Sequence, residues 1–304
     1  MKKIIFIFPA ILVFSNGFSQ INPTEDYLHV KPQKGLIKKE ITTIEDSTGK
    51  IPYISEISYY NEDGYETNSF RLNHASDTLK HIYTYYLGNG RELTVYTEKS
   101  RLDSAYENYN EKNYLVNDLW LMGTQDPSDK DSTIYSYDSN GNLIKLDEKY
   151  WKNVEVYNYK DNKIISIITT DSDVDTEAGE KPEEYVSAEY KYLDDGKKIE
   201  SMDYIGKNKP YSKTIENLNH ANMPILVEVF KYPSKKKHHL AYKKVLTYHE
   251  NGTLKTVHIN WFENEDLKWT LVDSYNEKGQ LVESINTNDI TGAKSINQYK
   301  YYYK

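Results

Sequence analysis

Three groups of residues in the 304-residue chain are of types that could do chemistry. The first is Asp171-Ser172-Asp173-Val174-Asp175-Thr176-Glu177, with side-chain oxygens at alternate positions, as in a loop that wraps a hard cation such as calcium. Its sixth position is Thr176, where the sharp turn needs glycine, and its twelfth is Pro182, where a bidentate Glu is needed. The stretch therefore reads as a solvated acidic hairpin loop. The second is Lys235-Lys236-Lys237-His238-His239, the one basic cluster. Neighbouring histidines on a strand point to opposite faces and do not share a metal, so this run reads as charge that guards a strand edge. The third is the set His29, His74, His81, His220, His249 and His258, which has no metal-ligand spacing.

Other chemistry is excluded or unsupported. The chain has no Cys, hence no disulfide framework, thiolate zinc site or cysteine nucleophile. No nucleophile elbow, phosphate loop or metalloprotease helix motif occurs. Among 46 acidic residues no pair stands out as a glycosidase couple. We therefore expect no enzyme, no catalytic, cofactor-binding or metal-binding residues, and no cofactor. With a pI near 5.6 the protein is also poorly suited to binding nucleic acid through its phosphates.

What the sequence does specify is a framework. Tyr appears 30 times, against 7 Phe and 4 Trp, and it recurs beside turns. In Tyr60…Gly64, Tyr86…Gly90, Tyr137…Gly141, Tyr192…Gly196, Tyr248…Gly252 and Tyr275…Gly279 a glycine follows the tyrosine by four residues. In all but the first copy an aliphatic residue comes two or three places later, as in Leu143. Degenerate copies at Tyr109…Asn113, Tyr159…Asn162 and Leu218…Asn222 fill the gaps, and the turns between 64 and 279 fall about 27 residues apart on average. Gly accepts a positive φ without steric cost, and Asn or Asp tolerates it, so Asn-Gly and Asp-Gly pairs between alternating segments signal hairpins. Tyr135 and Tyr137 alternate with Ile134 and Ser136, and Tyr299, Tyr301 and Tyr303 alternate along the last segment. Amphipathic helical windows are lacking. The fold class is all-β: an antiparallel meander of repeated β-hairpins forming an elongated, curved open sheet. Tyr suits the half-buried pleat of such a sheet because it pairs a large apolar ring with a hydroxyl that can stay wet. Trp120, Trp151, Trp261 and Trp269 are scattered and read as sheet packing.

The string Tyr137-Asp138-Ser139-Asn140-Gly141-Asn142-Leu143 resembles the Tyr-Asp repeat of RHS-type proteins, whose motif runs Tyr-Asp-x-x-Gly-x-Leu. The six clearer copies are similar to it, and the resemblance spans roughly residues 55 to 285. It implies β-hairpins of the kind that spiral into sheet-walled shells in large secreted toxins, with carbohydrate binding common among relatives. The chain departs from the motif at Tyr86-Leu87 and Tyr192-Leu193, where Leu replaces Asp, and it is far shorter than the shell-forming members. A looser similarity is to MORN-like repeats, which are richer in Gly.

The N-terminus has the layout of a secretory signal peptide: Lys2-Lys3, eleven apolar residues from Ile4 to Phe14, and small residues at Gly17 and Ser19 before a cut ahead of Gln20. Cleavage there removes two lysines and no acid, taking the net charge from −8 to −10. Eleven residues are too few to span a bilayer, which takes roughly 20. The expected plan is residues 1–19 as leader, 20–50 as a lead-in and 51–304 as the repeat domain. The expected location is secreted or periplasmic, with no membrane span after leader removal. The expected role is binding or cell-envelope scaffolding with a glycan or an envelope protein as partner, the alternatives being a carbohydrate-binding module and, with no motif to support it, an enzyme on a β scaffold.

Overall fold

The structure is a computed structural model that describes residues 33–45, 52–73, 75–86, 91–98, 101–112, 114–121, 130–149, 152–171, 182–206, 209–234, 237–263 and 266–304. The leader, residues 172–181 of the acidic loop, Gly90, Trp151, Lys235, Lys236, His29 and His74 lie outside these residues.

Among the described residues twenty strands make one sheet. The first seven are β1 (Leu36–Glu45), β2 (Tyr53–Tyr60), β3 (Glu66–Leu72), β4 (Thr78–Tyr86), β5 (Arg91–Glu98), β6 (Arg101–Tyr109) and β7 (Leu115–Leu121). Next come β8 (Lys130–Tyr137), β9 (Leu143–Glu148), β10 (Asn153–Lys160), β11 (Lys163–Asp171), β12 (Glu183–Leu193), β13 (Lys198–Tyr204) and β14 (Pro210–Leu218). The chain ends with β15 (Pro224–Ser234), β16 (Lys237–Tyr248), β17 (Leu254–Glu263), β18 (Asp266–Tyr275), β19 (Leu281–Asn288) and β20 (Lys294–Tyr303). Among the described residues there is no α-helix, and Asp194–Gly196 form a short 3-10 turn. Each strand pairs antiparallel with the next, giving the meander of hairpins that the turn spacing predicts.

The fold is the expected all-β antiparallel meander, and β1 in addition pairs antiparallel with β20. Nine residue pairs run from Leu36↔Tyr303 to Glu45↔Ser295. Among the described residues every strand therefore has two neighbours and no row of main-chain donors is left at an edge, which is the state that full closure gives a sheet. The seam is a repeat split between the two ends of the chain. The C-terminal strand supplies the tyrosine, and Gly35-Leu36-Ile37 supplies the turn glycine and aliphatic pair, with Gly35 at φ 79°. The Lys304 amide donates to the Gly35 carbonyl at 3.0 Å, so the seam is joined where an intact repeat would have its turn. The lead-in thus contributes an integral strand.

One face of the sheet is covered. Leu115, Tyr135, Leu143, Leu146, Tyr157 and Ile164 form a buried cluster flanked by Tyr137 and Tyr159. Fully burying one such aliphatic side chain contributes about 1.5–3 kcal/mol. Small polar residues, including Ser58, Ser69, Ser201 and Ser212, are buried on the same face. Since the sheet is a ring, this is its inner wall. In each aliphatic pair the first residue points inward and the second outward: Leu36 and Leu143 are 0 % exposed, while Ile37 and Ile144 are each 38 % exposed. The outer wall mixes such side chains with ion pairs. Glu200, set between buried Ile199 and Ser201, meets Lys198 and Lys213 at 3.0 Å each. These cations hold its carboxyl below the usual range, with Lys213 contributing most. Glu228 meets Lys243 at 3.4 Å in the same way.

Candidate functional site

The repeat residues converge on one rim. Alternate connections share an end of the sheet, so the turns after β2, β6, β8, β10, β12, β14, β16 and β18 lie together, beside the start of β1 and the end of β20. Gly64, Gly141, Gly196, Gly252 and Gly279 all occupy this rim with φ between 77° and 88°. Asn162 and Asn222, the amide substitutes, have φ of 59° and 60°.

The residue that orders most of these turns is the one after the tyrosine. Asp138 Oδ1 accepts from the amides of Asn140 at 2.8 Å and Asn142 at 2.9 Å. Asn61, Asn110, Asn219 and Asn276 do the same for the amides two and four residues on. Such a side chain substitutes for main-chain partners that a five-residue loop does not supply. Burial pushes the Asp138 carboxyl up, but the donors of Asn142, Asn140 and Gly141 outweigh it and hold the group below its ordinary value. After Tyr192 the residue is Leu193, which cannot accept, and the loop there takes another form. Asp194, Asp195 and Gly196 all have positive φ, and the register continues unshifted from Leu193↔Lys198. At six other tyrosines the register shifts, between Tyr59 and Tyr60, Asn108 and Tyr109, Ser136 and Tyr137, Asn158 and Tyr159, Thr247 and Tyr248, and Ser274 and Tyr275, whereas Tyr86 pairs with Glu92 without a shift. The pairing of Leu218 shifts likewise. Except at Tyr60, which faces Glu66, each such bulge places the tyrosine ring and an opposed aliphatic residue on one wall together.

The tyrosine hydroxyls act across the other kind of strand boundary. At this rim β8 and β9 are joined by a turn, but β7 and β8 are joined only at the far end. Tyr137 Oη spans that gap and donates to the Leu115 carbonyl at 2.8 Å. Tyr159 donates to Leu143 at 3.0 Å, Tyr192 to Ile164 at 3.0 Å, Tyr248 to Pro224 at 2.7 Å and Tyr301 to Leu281 at 2.9 Å. Where Leu218 replaces the tyrosine, its own amide donates to the Lys197 carbonyl at 2.8 Å instead. Tyr60 donates to Glu66 at 3.0 Å. Tyr86 ends β4, and its side chain lies outside the described residues, as does that of Trp120. Burial pushes the phenols of Tyr137, Tyr159, Tyr192, Tyr248 and Tyr275 up to about 12.

Away from the rim, further tyrosines meet carboxylates on the inner wall: Tyr135 donates to Asp118 at 3.0 Å and Tyr157 to Glu155 at 2.6 Å. At the opposite end Trp261 and Trp269 are direct cross-strand partners, and Trp269 is 43 % exposed. His238, also at that end, stacks on Tyr232 with ring centres 5.4 Å apart. His81 stacks on Phe70 at 3.9 Å, and His249 Nε2 contacts the Tyr275 carbonyl oxygen at 3.0 Å. Among the described residues no group of three His, Asp or Glu is placed to hold a metal ion, and no helix is long and apolar enough to cross a membrane.

No family model matches the chain, and no curated protein matches it. Among solved structures, it is similar to a porin-like protein from Bacteroides uniformis ATCC 8492 at 11 % identity and TM-score 0.37, over 89 % of this chain and 99 % of that one. It is also similar to TcdB2-TccC3-TEV at 11 % identity and TM-score 0.33, over 84 % of this chain. For TcdB2-TccC3 the identity is 10 % and the TM-score 0.27, again over 84 % of this chain. This chain spans 15 % and 18 % of the length of the latter two.

Proposed function

We propose that this is an exported, non-catalytic protein of the Tyr-Asp repeat type that serves as a binding or cell-envelope scaffold. One observation carries the reading. The hydroxyls of Tyr137, Tyr159, Tyr192, Tyr248 and Tyr301 are all bonded to main-chain carbonyls, so the repeat holds the ring together rather than presenting phenols to a ligand. The outer-wall ion pairs around Glu200 and Glu228 suit a wall in water, since a charge at mid-bilayer on a barrel's lipid face costs roughly 2–4 kcal/mol. The test is to express the full chain, fractionate the cells and sequence the mature N-terminus. A product beginning at Gln20 outside the cytoplasm supports export, whereas an uncleaved cytoplasmic product rejects it.

The Trp261–Trp269 pair favours a second reading, a carbohydrate-binding module, because an exposed indole offers a flat face to a sugar ring. Tryptophan fluorescence that responds to an oligosaccharide, and no longer does so in Trp269→Ala, would replace the scaffold reading. A silent titration leaves the scaffold reading standing.

A further inference from the structure

The inner wall between β12 and β20 carries ionisable groups that the tyrosine stitching does not use. Glu216 on β14 lies opposite Ile199 on β13 and Val227 on β15. Its residue is 4 % exposed, and its Oε2 is buried with no hydrogen-bond partner. Asp273 Oδ1 on β18 is buried and unpartnered in the same way, although Ser284 bonds to that carboxylate. Other groups face this region from the strands around it. Lys244, Tyr242 and Tyr248 come from β16, and Tyr192 from β12. Asp203 on β13 has Ser212 and Lys231 beside it, and Tyr299 on β20 lies near Asp273. Glu200, Lys213, Glu228 and Lys243 belong to the outer wall and screen none of this.

Three inward carboxylates thus share two ammonium groups, and Lys244 interacts with both Glu216 and Asp273. An unpartnered buried carboxylate is costly in its charged form, and the cost is removed by a cation or by a proton. Lys244 is the ammonium that acts on Glu216, while Lys231 acts on Asp203. We propose that Glu216 is a proton-binding site of the ring, occupied in mildly acidic surroundings, and that its occupancy tightens the closed sheet.

The electrostatics run the same way. Burial pushes the Glu216 carboxyl from 4.5 up to about 7, with Lys244 the opposing influence, and burial also raises Asp203 and Asp273. A carboxyl raised on folding binds more protons folded than unfolded. Stability is then greatest below the unfolded value and falls as pH rises towards 7.

Thermal unfolding of the full chain from pH 5 to 8 tests this, together with infrared detection of protonated carboxyl groups. Wild type should lose on the order of 5 °C in midpoint across that range. A protonated-carboxyl band should fade over the same interval. Glu216→Gln should reduce both the slope and the band, Asp203 and Asp273 supplying what is left, whereas outer-wall Glu200→Gln should keep both at wild-type size. A Glu216→Gln protein with the wild-type slope and band overturns the proposal. If that variant does not fold, the wild-type band decides alone, and its absence at pH 6 overturns the proposal.

Discussion

At the scale of single residues, the phenol hydroxyl and the turn glycine make separable contributions. Tyr137→Phe keeps the ring on the inner wall and leaves the Leu115 carbonyl without its donor, a loss of about 1 kcal/mol. Tyr59→Phe on the outer wall, at a position 42 % exposed, should stay within about 0.5 kcal/mol of wild type. Equal urea midpoints for the two variants would mean that the hydroxyl bond contributes nothing. Glycines are ranked by what surrounds them. A Cβ at Gly64 would sit 2.5 Å from the Gln33 carbonyl carbon, in main chain that cannot swing aside, while Gly252 has nothing within 4 Å. Both have positive φ, so Gly252→Ala should cost about 1 kcal/mol and Gly64→Ala distinctly more. Denaturation of the two side by side checks the order.

At the scale of elements, hairpin positions were legible because a Gly or Asn at a forced φ leaves a local mark. Gly64, Gly141, Gly196, Gly252 and Gly279 all sit where the spacing puts a turn. The acceptor role of Asp138 and Asn276 was legible in principle, since Asx follows the tyrosine at 61, 110, 138 and 276 and follows Leu218 at 219. It is obscured by copies such as Tyr192-Leu193 that use another loop. The register shifts at six of the tyrosines, and the hydroxyl bonds to the next strand, were not legible, because both are set by a neighbouring strand. Closure had one signal: Gly35-Leu36-Ile37 lies 29 residues before Gly64, within the range of the repeat, but without a tyrosine ahead of it. Its tyrosine is Tyr303, from the other end of the chain. Deleting residues 1–45, with export supplied by another leader, removes β1 and exposes the edges of β2 and β20. Such a chain should self-associate through those edges, read as higher mass by light scattering with strand content retained. A stable monomer with unchanged melting would show that the seam contributes little.

At the scale of the whole molecule, the buried phenols determine behaviour in alkali. Tyr137, Tyr159, Tyr192, Tyr248, Tyr275 and Tyr299 are raised from 10.0 to about 12, burial being the main cause in each. A phenol raised on folding contributes stability that is fully present below pH 10 and is lost as pH climbs towards 12. Phenolate absorbance and circular dichroism should therefore change together in that interval. Complete phenol ionisation near pH 10 with the strands intact would contradict the burial described here. The β1–β20 seam has an arithmetical consequence as well. In a meander each strand reverses the one before, so the last can run opposite to the first only when their number is even, as twenty is. A relative with one strand more or fewer would bring two parallel strands together at the join. With an antiparallel join kept, the circumference of such a molecule can therefore grow or shrink by whole hairpins alone, and the tyrosine–glycine repeat is the smallest step by which its size can change.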